Sequence, residues 1–300
     1  EHINPFFSTT ADGDLVQSGK VSDIYLRDML KHSNGQFSMK SYEAGNFNTF
    51  IQQYNKGELS SLDNAISKTL GSIDHNSVIV LQNMNFENSV LKSSVEQGIL
   101  SEDIYKNIAG RMRTVGTDSI GNVTQLFQRP HSVVSKVREA DMIFHTSYLT
   151  SKDPKDFTEY KNLLNEAVDS YAHTINDPKR SGVVAVELQD VTKAFLANAA
   201  EAGMIDKRTA TLGLNIEFLA KTVLNEPEAH TALSDSRQTI SLLQNLWGMT
   251  DELRTGTVSE RTEGILSTIR QNQGVEVNKR FISSVRSVLS DFKQNGSTNI

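Results

Sequence analysis

Three hundred residues can bury a large core, as one big domain or as a domain carrying an insertion and a tail. With 37% hydrophobic and 22% charged residues and 5 prolines, the chain is a folded, somewhat polar one rather than a disordered one. The formal charge of −6 argues against gripping nucleic acid by bulk charge, and the absence of cysteine excludes disulfides, thiolate zinc sites and cysteine nucleophiles while suiting a reducing compartment.

In chain order, the first seventy residues read as β-rich, with ADGDL (Ala11–Leu15) and HSNGQF (His32–Phe37) as hairpin-type turns. Phe47 to Ile73 reads as helix. A short apolar strand, Val78 to Leu81, then meets a polar turn and a helix starting near Phe86. From about 96 to 181 the pattern is irregular and looks like an insertion. Its one clear amphipathic helix lies in Asp156–Ile175, where Phe157, Tyr160, Leu164, Val168 and Tyr171 share a face. Gly182–Gly203 returns to strand then helix, and two more helices run through Trp247. The tail from about Met249 reads as helical, with Thr257–Glu260 (TVSE) as a capping box and Val277, Phe281, Val285, Val288 and Phe292 as an apolar stripe.

Strands first, then strand and helix alternating, predict an α/β layer fold with a mixed sheet flanked by helices. The expected division is a domain over 1–248 with a helical insertion at about 96–181, and a helical extension over 249–300 that packs on the domain or on a protein partner. No apolar run approaches the roughly 18 residues of a membrane span and no signal-peptide core opens the chain, so a soluble, cytoplasmic protein is expected.

Several chemistries are excluded by spacing. GDLVQSGKV resembles a phosphate loop, but five residues separate Gly13 from Gly19 where the motif has four, and Val21 stands where a magnesium-binding hydroxyl belongs. The 7 histidines include no pair at helical metal spacing, and no nucleophile-elbow serine motif appears.

What remains is a set of inward carboxylates. On a helix through Ala232–Trp247, Asp235 falls within about 60° of Ala232, Thr239, Leu242 and Leu246, so it points toward the interior. Glu87, at the start of the helix after Val78–Leu81, shares a face with Val90 and Leu91 and also leans inward. A single inward carboxylate usually caps a backbone donor or pairs with arginine. Two of them, one beyond a strand and one near His230 at a helix mouth opened by Pro227, suit a divalent cation held by oxygen, magnesium or manganese. Between 106 and 138, Lys106, Arg111, Arg113, Arg129, Lys136 and Arg138 face Asp118 alone, a local charge of +5. Such a cluster is either a solvated surface or a phosphate grip, with Phe127 for base stacking.

Thr211–Trp247, TLGLNIEFLAKTVLNEPEAHTALSDSRQTISLLQNLW, resembles the last motif of the DnaQ-like, or DEDDh, 3′-to-5′ exonucleases, with the His-x-Ala-x-x-Asp core as His230, Ala232 and Asp235. VIVLQNMNFENSVL resembles their middle motif, with Asn83, Phe86 and Leu91 in place and Glu87 where that family has aspartate. The long insertion gives the chain the look of a phage or viral member.

The resemblance implies an RNase H-like fold and a site in which acidic groups hold two magnesium or manganese ions. These clamp the terminal phosphodiester of a single-stranded DNA or RNA 3′ end and lower the pKa of an attacking water, whose proton the histidine takes. Glu87 and Asp235 would then be metal ligands and His230 the general base. Glu1 is the expected second acid of the family's opening Asp-x-Glu, the rest of which would lie upstream. Asp12 and Asp14 are rivals better read as a turn, and Glu187 is an acid out of the family's order. The alternative function is a module that keeps the fold, and a nucleic-acid-binding or structural role, without the chemistry.

Overall fold

The computed structural model describes residues 7–9, 15–17, 66–69, 73–96, 98, 100–145, 153–225 and 232–276. Helices dominate and the strands are short and few among these residues, so the chain is mixed α/β. It divides into two compact units, one drawn from 1–130, 175–186 and 229–237, the other from 131–174, 187–228 and 238–300.

In the first unit, β1 (Phe7–Thr9) and β2 (Leu15–Gln17) pair antiparallel with Thr9 opposite Leu15, a hairpin placed where ADGDL predicts one. The HSNGQF turn and most of the predicted helix Phe47–Ile73 lie outside the described residues, apart from a helical turn at 66–69. β3 (Val78–Leu81) matches the predicted strand and pairs with β6 (Val184–Glu187). Just ahead of β6, Val183 forms a parallel bridge to Met112. That approach requires a glycine: Gly182 has φ +94°, and a Cβ there would lie 2.9 Å from the Arg113 nitrogen.

After β3 the chain turns into α1 (Met84–Glu96), two residues earlier than its apolar pattern suggests. The reason is Asn83, whose Oδ1 accepts from the Phe86 N–H at 3.3 Å and caps the helix. α2 (Glu102–Ala109) begins in the same way, with Ser101 Oγ accepting from the Ile104 N–H. A tight hairpin follows, β4 (Gly116–Thr117) against β5 (Val123–Gln125). Asp118 locks its turn, with Oδ1 accepting from the Ile120 and Asn122 N–H groups. One core, including Ile66, Leu81, Met84, Tyr105, Ile108, Phe127 and Ala185, joins these pieces.

The second unit is helical, built from α3 (His131–Ile143), all but the end of α4 (Pro154–Asn176), α5 (Leu188–Glu201), α6 (Lys207–Leu212), α7 (Ile216–Leu224), α8 (Ala232–Thr255) from 238 onward and α9 (260–276). α4 buries the predicted stripe of Phe157, Tyr160, Leu164, Val168 and Tyr171. α5 is buried nearly all round, as expected of a helix with apolar residues on every side. Three residue pairs order the two helices: Thr158 donates to Glu201, Asn165 and Asn198 exchange a reciprocal pair of amide hydrogen bonds, and Tyr171 donates to Asp190. Positions rise along α4 while their partners fall along α5, so the two helices run antiparallel. Further cross-ties are Lys193 to Asp141 at 2.8 Å and Arg254 to both oxygens of Asp169.

Three details differ from the sequence expectation. α6, α7 and α8 occupy the segment expected to hold two helices, because Gly213, with φ +76°, separates α6 from α7. The cap of α9 is Ser259 rather than the first residue of TVSE: its Oγ accepts from the Thr262 N–H at 3.3 Å. α8 also runs unbroken through the expected boundary at 248. Among the described residues, no helix is long and apolar enough to cross a membrane.

Candidate functional site

The end of β3 delivers Glu87 to the first turn of α1. Its Oε1 accepts from the backbone N–H groups of Gln82 and Asn83, both at 3.2 Å, closing a reciprocal capping arrangement with the Asn83 side chain. Its other oxygen, Oε2, is buried without a hydrogen-bond partner among the described residues. The inward lean read from helix phase is therefore present, and only half of the carboxylate is satisfied.

The next residue fixes what faces this turn. Asn88, 5% exposed, donates from Nδ2 to the Phe127 carbonyl at 2.8 Å and accepts at Oδ1 from the Phe127 N–H at 2.9 Å. The side-chain amide acts as a strand partner for Phe127 and sets residues 87 and 128 on adjoining backbone. Gln128 carries a second buried oxygen, Oε1, without a hydrogen-bond partner among the described residues. Helix periodicity identifies Glu87 but gives no sign of the Asn88–Phe127 hydrogen bonds, which span 39 residues of sequence.

Asp235 lies in the first turn of α8, which begins at Ala232. The description of Asp235 extends to its backbone, and His230 and Glu1 lie outside the described residues, as do the rival acids Asp12 and Asp14. Among the described residues no group of three or more acidic or imidazole side chains converges as a metal cage would. Glu187, the acid out of order, is 3% exposed at the head of α5. Its backbone N–H donates to Tyr171 Oη, which donates to Asp190 Oδ2 at 2.9 Å.

The expected phosphate grip is altered by packing. Phe127 is 4% exposed, so its ring is core and cannot stack on a base; the exposed aromatic beside the site in sequence is Phe86, at 64%. Arg113 reaches Asp177 at 3.8 Å, and Lys106 pairs with Glu102 at 2.7 Å. Lys136 pairs with Glu166, whose hydrogen bond and charge raise the lysine pKa. Arg111 and Arg129 are half-buried, and Arg138 is exposed. The six cations are contiguous in charge along the sequence but do not form one stripe of free charge.

Comparison with protein-family models, curated proteins and solved structures finds no match for this chain.

Proposed function

We propose that the protein is a metal-dependent 3′-to-5′ exonuclease of RNase H-like fold, acting on single-stranded ends with DNA favoured and releasing nucleoside monophosphates. The observation that carries this reading is the Glu87 carboxylate, with one oxygen fixed by two backbone N–H groups and the other buried without a hydrogen-bond partner among the described residues. Burying an unpaired carboxylate oxygen is costly, and a hard divalent cation is the ligand that best compensates it. Magnesium or manganese bound there, two ions in the full site, would supply charge neutralisation at the scissile phosphate and a more acidic water. Glu87 and Asp235 would hold the ions, with Glu1 as a third acid, and His230 would take the water proton. Phe86 offers a face for the terminal base.

The hydrogen bonds of Glu87 Oε1 favour a second reading, in which Glu87 is a helix cap and the chain is an exonuclease-fold module without chemistry. One experiment separates the two. A 5′-labelled single strand is incubated with the protein in magnesium or manganese, beside His230→Ala. Stepwise shortening that requires metal and is lost in the variant is expected. An intact strand under both metals, with no cation bound in calorimetry, overturns the nuclease reading and favours the module.

A further inference from the structure

Two buried side-chain oxygens without a hydrogen-bond partner among the described residues, Glu87 Oε2 and Gln128 Oε1, flank a single structural link. The Asn88 side chain hydrogen-bonds both ways to the Phe127 backbone, at 2.8 and 2.9 Å. Glu87 and Gln128 each stand one peptide from that link, a step of about 3.8 Å between Cα atoms. Neither residue is loosely held. Glu87 Oε1 is fixed by the Gln82 and Asn83 N–H groups, and the Gln128 carbonyl accepts from Thr114 Oγ1 at 2.7 Å. The strand leading into this stretch, β5, packs against α1.

Both atoms are acceptors, and a buried acceptor without a donor is costly. Since the chain supplies no donor to either, the compensating group comes from outside it. A carboxylate excludes an anion, and atoms shut off from solvent suit a compact ion rather than an organic ammonium. One carboxylate oxygen and one amide oxygen are ligands of the kind that magnesium and manganese take. We propose that Gln128 Oε1 is a second protein ligand of the ion held by Glu87. This rests on the nuclease reading, which puts the cation at Glu87, and it adds a neutral ligand where the resemblance supplies only acids and a histidine. A neutral oxygen leaves more of the ion's charge for the phosphate than a further carboxylate does. The rival arrangement exchanges the two ends of the amide, so that Gln128 Nε2 donates to Glu87 Oε2 and no ion is needed.

The test is calorimetry on the full chain, stripped with EDTA and desalted, with magnesium chloride and manganese chloride as separate titrants and no nucleic acid present. Gln128→Met, close in size and without the amide, should weaken binding of both ions about tenfold or more. Gln128→Glu should restore it, since a carboxylate is the stronger ligand. Thermal melts in EDTA supply the second readout. There Gln128→Met should melt no lower than the parent chain, because it removes an acceptor that nothing satisfies without metal. A parent chain that binds neither ion removes the nuclease reading and this assignment together. A parent that binds, beside a Gln128→Met that binds as tightly or a Gln128→Glu that binds no better than the methionine variant, removes this assignment alone. A loss of melting temperature in EDTA that Gln128→Met causes in the parent but not in a Glu87→Gln background shows the amide donating to Glu87, and also overturns it.

Discussion

At position 87 one carboxylate oxygen is held by two backbone N–H groups and the other has no hydrogen-bond partner among the described residues, and substitutions can divide the cap from the charge. Glu87→Gln keeps an acceptor for the Gln82 and Asn83 N–H groups and removes the charge. Strand shortening should fall about 100-fold or more while thermal unfolding barely moves, read by a gel assay and by calorimetry on the same preparation. Glu87→Ala also removes the cap and should cost about 1 kcal/mol of stability in urea. If the glutamine variant shortens the strand as well as the parent chain, Glu87 is a cap and nothing more. This residue was legible in sequence because it sits just past a strand at an inward helical phase. Phe127 was misplaced because an aromatic residue in a basic stretch fits a stacking platform as well as a core, and only the Asn88 pairing decides between them.

Among the elements, those with a long repeat were legible and the short ones were not. The 23 residues of α4 carry its apolar stripe through several turns, whereas the 8 of α2 and the 2 of β4 are too few to establish a period. The region expected to be an irregular insertion therefore contains α2, a hairpin and α3 before α4. What holds the hairpin end to α1 is the Asn88 amide, so Asn88→Leu should leave the buried Phe127 N–H and carbonyl unsatisfied. A loss of roughly 2–3 kcal/mol is expected in chemical denaturation, with amide exchange rising across 123–127. At the α8–α9 junction, Glu252 Oε2 accepts from Ser259 N–H at 2.9 Å and Oγ at 2.8 Å. The Ser259 N–H bond, above all, holds the Glu252 carboxyl below its ordinary value of 4.5. A depressed folded-state pKa means that its support is complete above the ordinary carboxylate range and is lost as pH falls through the lowered value. Melting followed between about pH 5 and 3 should show a component of the acid loss that Glu252→Gln removes, while the two proteins keep similar profiles at neutral pH.

At the scale of the whole molecule, the −6 charge and the local +5 stretch are both facts of sequence, yet neither describes a surface. Lys106, Arg113 and Lys136 each spend charge on a carboxylate, which summing along the chain conceals because Asp177 and Glu166 lie outside the summed stretch. An ion captured by Glu87 would differ from general screening of a net negative chain, and linkage makes that difference measurable. A ligand that binds only the folded state at 100 times its dissociation constant adds about 2.7 kcal/mol to unfolding. Magnesium or manganese should therefore raise the melting temperature by several degrees above a sodium chloride control of equal ionic strength, since monovalent salt reproduces the screening and not the coordination. The increment should saturate with concentration, as site binding does, and be largely absent in Glu87→Gln. Should the glutamine variant show the full saturable rise, the cation resides elsewhere, and the buried oxygen of Glu87 is balanced by something other than metal.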